Sequence, residues 1–448
     1  MSRNSSESDP TICNSVNVFV DPPQSKLDAE GGDIKPAPDA YGPTDGGWDA
    51  WGTVFGATMI SVGTFGFVNA FGAFADFYNE QYLTTYSANI ISMIGAVQVF
   101  LLFLFAGTAG AIFDCIGPRY LIPLSGVITV FSLFMLSITK PEKIYQQFLS
   151  QSVLFGLGAT MSFFPSMSIM AHWFKNKLPY AVGCFVSGAS LGGVIFPIMI
   201  AKLIPKIGFG WTIRVFAFIT LACFAIGTAT IKQRRPSKPF PTSFSALFDF
   251  AAFKDPCYVF LALGCWFTFF AVFNPFFYLG LSAQISNPNS GVNGYYLVIL
   301  CATSIFGRVS PGLIATRVGR YIQHVMRVNS LYQTILVFAL WYTSFEQANL
   351  IVFAALYGLF SGSFFSLTPS CVAEISPIDR IGARIGGTYA FMASATLAGA
   401  PISGVFIEDQ TKPNFQKLIL FSGIMSLIGV VLICISRFIR NRKLFVVA

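Results

Sequence analysis

Charge is scarce in this chain of 448 residues: Asp, Glu, Lys and Arg together make up 11%, and His occurs twice. Too little polar surface is available to cover a soluble domain of this length, so an ordinary globular enzyme is excluded. The two histidines, His172 and His324, have neither metal-ligand nor triad spacing, which leaves no zinc site and no Ser-His nucleophile. A Walker-type phosphate loop is also missing, so no visible motif draws on ATP. The nine cysteines stand singly without a CxxC pair, which argues against a disulfide framework or a metal centre. No cofactor is expected, and no catalytic residue.

Apolar residues fill the space that charge leaves. Hydrophobic types reach 54%, with 49 Phe and 40 Gly, and the mean hydropathy is +0.65. Spanning the hydrocarbon core of a bilayer takes about 20 apolar residues. About twelve such runs follow one another, at 51–75, 87–113, 120–138, 148–171, 180–204, 211–231, 257–281, 294–315, 325–342, 350–372, 382–406 and 418–435. The expected fold class is therefore an all-α polytopic membrane protein with the lipid bilayer as its solvent.

The polar remainder sets the domains. Residues 1–48 read as a disordered cytosolic tail, 49–231 as a first six-helix bundle and 232–255 as a cytosolic linker with an interfacial amphipathic segment. A second six-helix bundle follows over 256–436, then a basic tail over 437–448. The net charge of +8 lies in short clusters between apolar runs, which is the pattern of topology signals and not of nucleic-acid binding. With both termini cytosolic, about 17 Lys and Arg fall inside against about 6 outside, which fixes that orientation. No retention signal is visible at the C-terminus, so the plasma membrane is the expected location, with a vacuolar or other internal membrane as the alternative.

One pattern occurs twice. Gly110-Ala-Ile-Phe-Asp114-Cys-Ile-Gly117-Pro-Arg119 is matched by Gly312-Leu-Ile-Ala-Thr316-Arg317-Val-Gly319-Arg320, each where one apolar run ends and the next begins. Such repetition marks two equivalent halves and points to transport. The pattern resembles the loop signature of the major facilitator superfamily, which lies between helices 2 and 3 and again between helices 8 and 9. The resemblance implies two six-helix bundles and a latching role for Asp114 and Arg119, with Arg317 and Arg320 in a second copy weakened by Thr316 in place of Asp.

Further motifs narrow the resemblance. Asp45-Gly-Gly-Trp48-Asp49-Ala-Trp51 and Gly66-Phe-Val-Asn69-Ala-Phe-Gly72, then Trp173-Phe-Lys175, Ser187-Gly-Ala-Ser190-Leu-Gly192 and Phe306-Gly-Arg308, are similar to the monocarboxylate porter family, especially its fungal members. That family implies a carrier of small organic anions, often moving with a proton. In its animal members a first-helix Lys and an eighth-helix Asp share in coupling. Their places here hold Ala73 and Ser304.

Arg308 is the leading candidate for substrate contact. It lies eight residues before the second basic loop, or about 12 Å at 1.5 Å per residue, and so near the membrane midplane. A guanidinium there costs at least about 2.5 kcal/mol, which calls for a polar cavity or an anionic partner. Asn69, Gln98, Asn274, Tyr278 and Phe364 complete the expected site, and Asp76 and Glu374 join the loop residues as gating or coupling candidates. The reading is a secondary carrier for a small organic anion or weakly acidic metabolite, working as a monomer by alternating access. An efflux carrier for a fungal secondary metabolite, an uncoupled facilitator and a non-transporting membrane sensor remain as alternatives.

Overall fold

The computed structural model describes residues 44–234, 249–288, 291, 293–318, 322–377, 380–406 and 411–440. Among them are helices and connecting turns but no strand. Among the described residues twelve helical passes follow one another: α1 Trp48–Tyr82, α2 88–116, α3 Pro118–Ser137, α4 Ile144–Trp173, α5 178–207 and α6 209–230 in the first half. The second half holds α7 Pro256–Ser286, α8 Tyr296–Val318, α9 322–341, α10 Gln347–Glu374, α11 Ile381–Val405 and α12 Lys412–Arg440. α5 and α6 are continuous in hydrogen bonding over 53 residues, yet they are two crossings, because Gly208 turns the chain at a φ of 77°. By length and hydropathy, eight helices qualify as spans, or nine with the bent pair that forms α2. The long α5–α6 helix counts once among them, and the two that fall short, α9 and α11, bury polar residues such as Arg327, Gln333, Arg384 and Thr388 inside the protein.

The duplication expected from the loops reappears in the packing. α1 crosses α6 where a Cβ on Gly227 would lie 3.2 Å from the Gly56 carbonyl, and α7 crosses α12 where a Cβ on Gly429 would lie 2.8 Å from the Gly264 carbonyl. Small residues at matching places let both helix pairs meet backbone to backbone, as bilayer packing favours. Gly117 in the first repeated loop ends α2 at a φ of 78°. The end of the molecule that carries this loop is the loop end, and the opposite end is the far end.

The expected disordered tail does not extend to residue 48. The Thr44 and Asp45 N–H groups both donate to the Trp173 carbonyl, and Asp45 Oδ1 accepts from the N–H groups of Lys175, Asn176 and Lys177 at 2.7, 2.8 and 3.2 Å. Asp49 pairs with Lys232 at 2.7 Å, while the Trp173 indole donates to the Lys232 carbonyl. Two sequence motifs far apart in the chain thus form one clasp at the loop end, tying α1, α4 and α6. Residues 1–43, 235–248 of the linker and 441–448 of the basic tail lie outside the described residues.

Partial burial opposes ionisation of Asp45, but the three backbone donors and the neighbouring Lys177 outweigh it and hold the carboxyl below 3.8. A carboxylate whose pKa is lowered by folding stabilises above its unfolded value, and that contribution is lost as pH falls through the folded value. Asp45→Ala is therefore expected to destabilise the protein by about 1 kcal/mol at pH 7, as loss of a helix-capping acceptor does. The difference in melting temperature from wild type should shrink once the pH falls below 3.8. An unchanged difference in acid would remove the electrostatic part of this account.

The linker returns at Asp249, which meets Arg380 and Arg384 at 3.1 Å each and fixes the start of α11. Burial works against the Asp249 charge, but Arg384 and Arg380 prevail and keep the carboxyl low. Asp249, six residues before the end of the linker segment, is invisible as a partner of these arginines until the chain folds back.

Candidate functional site

α8 carries Arg308 twelve residues from its start and ten from its end, so the guanidinium sits at mid-depth and is fully buried. Nη1 donates to the Val186 carbonyl of α5 at 2.7 Å. The guanidinium carbon lies 5.3 Å above the Phe365 ring of α10, a cation–π distance. Among the described residues Nε and Nη2 have no hydrogen-bond partner. A buried guanidinium that meets one carbonyl and one ring keeps a fork of donors for a carboxylate or enolate. One turn before it, Ser304 bonds Ser190 of α5 at 2.6 Å, a neutral tie between the halves.

Aromatic rings fill the space beside Arg308. Phe365 contacts Phe65 of α1 at 5.7 Å and Phe269 of α7 at 6.0 Å. Phe103 of α2 meets Phe65, Phe164, Phe269 and Tyr389 at 5.9, 5.6, 5.0 and 5.5 Å, joining helices of both halves. Sequence reasoning chose Phe364 on α10, which packs against Phe269 and Phe365, while the ring over Arg308 is its neighbour. A usable signal was present: Ser162-Phe163-Phe164 in α4 is repeated as Ser363-Phe364-Phe365 in α10, the equivalent helix of the second half.

The other expected site residues divide between the centre and the seams. Asn69 donates to the Ala189 carbonyl of α5 at 3.1 Å, and a Cβ on Gly193 would touch both Asn69 and Cys301, which places Asn69 one helix away from the Arg308 segment. Gln98 is fully buried with neither amide atom partnered among the described residues. Asn274 is turned to Ser422 of α12 at 2.5 Å, within its own half. Tyr278 bonds Ser92 of α2, and its hydroxyl would lie 3.2 Å from a Cβ on Gly404, so it belongs to the far-end seam between α2, α7 and α11.

The two halves touch at both the far end and the loop end. At the far end, a Cβ on Gly72 of α1 would stand 2.3 Å from the Phe276 carbonyl of α7. Gln284 donates to Glu80 at 2.6 Å, and Asp76 faces Gly280 nearby. At the loop end, Gly312 meets the Pro179 carbonyl and Gly386 meets Gly107, each within 2.6 Å of where a Cβ would stand. Asp114 and Glu374 are half-buried there and Arg119 is exposed. The Arg317 side chain and the whole of Arg320 lie outside the described residues.

A buried, ring-walled cation thus stands where the two repeated bundles meet, and comparison with known proteins shows the family. Residues 53–349 match the profile of the Major Facilitator Superfamily. The chain is 36% identical over 404 residues to the MFS transporter asaE of Aspergillus flavus, covering 90% of this chain and 89% of that one. It is 36% identical over 386 residues to the agnestins efflux protein AgnL12 of Paecilomyces divaricatus, covering 85% and 86%. Among solved structures, the human organic anion transporter MFSD10 superposes with a TM-score of 0.66 at 15% identity, covering 86% of this chain and 99% of that one, a likeness of fold. These relatives carry the names of fungal transporters and an efflux protein, so the superfamily expected from the repeated loop holds while the narrower likeness to monocarboxylate porters is not what they share. The chain is a member of the Major Facilitator Superfamily, a multi-pass membrane transporter and not an enzyme.

Proposed function

We propose that this transporter exports a weakly acidic organic metabolite by alternating access, its anionic group received by Arg308. The observation that carries the reading is the fully buried Arg308, held by one carbonyl and one ring with two donor nitrogens to spare. An acid supplies the missing charge and a bidentate contact. Efflux is favoured over uptake because a relative covered along most of its length is named an efflux protein. The repeated-loop end faces the cytosol, the protein resides in the plasma membrane as a monomer, and Asp76 at the α1–α7 seam is the group that exchanges a proton with the outside.

Inside-out vesicles test direction and coupling together. With the lumen acidified, vesicles carrying the wild-type protein are expected to accumulate a labelled aromatic acid several-fold over empty vesicles and to lose the excess on adding an uncoupler. Asp76→Asn should equilibrate the acid without accumulating it. Accumulation in right-side-out vesicles driven by outside acid would instead establish uptake and overturn the export reading.

A further inference from the structure

Phe103 occupies the centre of the ring cluster and stands beside the break in α2. The helix stops at Leu104, Phe105 leaves helical geometry at φ −91° and ψ 13°, and the next segment starts at Ala106 with a bend of 45°. The Thr108 hydroxyl donates to the Phe105 carbonyl at 2.8 Å and Gly107 stands between them, so the break has a side-chain hydrogen bond and a small residue at its hinge. It coincides with the close approach of Gly107 to Gly386 of α11. Rotation of the segment before the break would withdraw the Phe103 ring from Phe65 and Phe164 on one side and from Phe269 and Tyr389 on the other.

The geometry of those contacts describes what can replace the ring. Phe103 lies edge to face with Phe65, Phe164 and Phe269 at interplanar angles of 88°, 72° and 80°, and tilted by 36° against Tyr389. Rings pair in this way because a negative face meets a positive edge, which a saturated skeleton of the same outline cannot reproduce. Ring contacts lead from Phe103 by way of Phe269 or Phe65 to Phe365, whose ring lies under the Arg308 guanidinium, so the space that Phe103 fills and the cation belong to one aromatic cluster.

We propose that the substrate is a planar, conjugated ring acid that takes the place of Phe103, which acts as a mobile plug, while Phe269 remains as a wall. The proposal rests on the assignment of Arg308 as the anion receptor and adds the shape and electronic class of the molecule.

Binding to the purified full-length protein in nanodiscs tests it, with 2-naphthoate and its saturated counterpart decahydro-2-naphthoate as probes. Wild type is expected to bind the planar acid at least about tenfold more tightly. Phe103→Leu should tighten 2-naphthoate binding several-fold, because the plug no longer has to be displaced, whereas Phe269→Leu should weaken it several-fold. A misfolded variant cannot bind more tightly, so the opposite signs separate plug from wall. Equal affinity of wild type for the two acids, or weakening by Phe103→Leu, overturns the proposal. If affinities are equal but Arg308→Gln abolishes binding of both acids, the anion-receptor reading survives alone. If neither acid binds wild type, both fall.

Discussion

Arg308→Gln is expected to reduce transport of the acidic substrate by about 30-fold to 4000-fold while leaving the protein at least as stable as wild type. The first half follows from removing one partner of a desolvated charge pair, an effect of about 2–5 kcal/mol. The second follows from the burial pattern. Nε and Nη2 are buried without hydrogen-bond partners among the described residues. Replacing such a cation with a neutral amide relieves a desolvation penalty, and the Gln amide can still donate towards the Val186 carbonyl. A purely structural Arg would behave oppositely, with a lower melting temperature accompanying any loss of transport. Arg308→Lys keeps charge without the planar fork and should fall between the two. Initial rates in vesicles and thermal unfolding in detergent separate these cases, and a stable, fully active Gln variant would remove Arg308 from the site.

What could be read in the sequence followed from features that repeat or that violate the bilayer's rules. The twelve apolar runs and the duplicated loop announce two bundles because composition and period act along the chain. Arg308 stands out because a charge in the middle of a span is expensive wherever it points. Features that depend on which helices meet were hidden. Phe365 and Phe364 are equivalent by composition, and only the rotation of α10 against α8 puts the former over the guanidinium. Asn274 reads as a cavity residue, yet its amide points to α12, since a polar group in lipid can be satisfied by any neighbouring helix. The clasp at Asp45 joins residues about 130 positions apart. In the sequence its motif carries a resemblance only, and its physical cause lies in the fold, which sets Asp45 over the backbone donors after Trp173.

Gly72→Val and Gly386→Val are expected to trap opposite states, each with at least a tenfold loss of transport. A Cβ at residue 72 would lie 2.3 Å from the Phe276 carbonyl, and one at residue 386 would lie 2.6 Å from the Gly107 α-carbon. Both obstacles are backbone, which cannot rotate aside as a side chain can, so the affected seam has to open. Gly72 joins α1 to α7 at the far end, whereas Gly386 joins α11 to α2 at the loop end. The two contacts link different halves and leave the packing within each bundle intact. In alternating access one end opens while the other stays closed. Spin-label distances across the α1–α7 seam should therefore lengthen in Gly72→Val and keep the wild-type value in Gly386→Val, and distances across the α2–α11 loop-end seam should change in the reverse sense. Lengthening at both seams in either variant would mean that the halves separate without alternating, and the mechanism assigned to this fold would not hold for this chain.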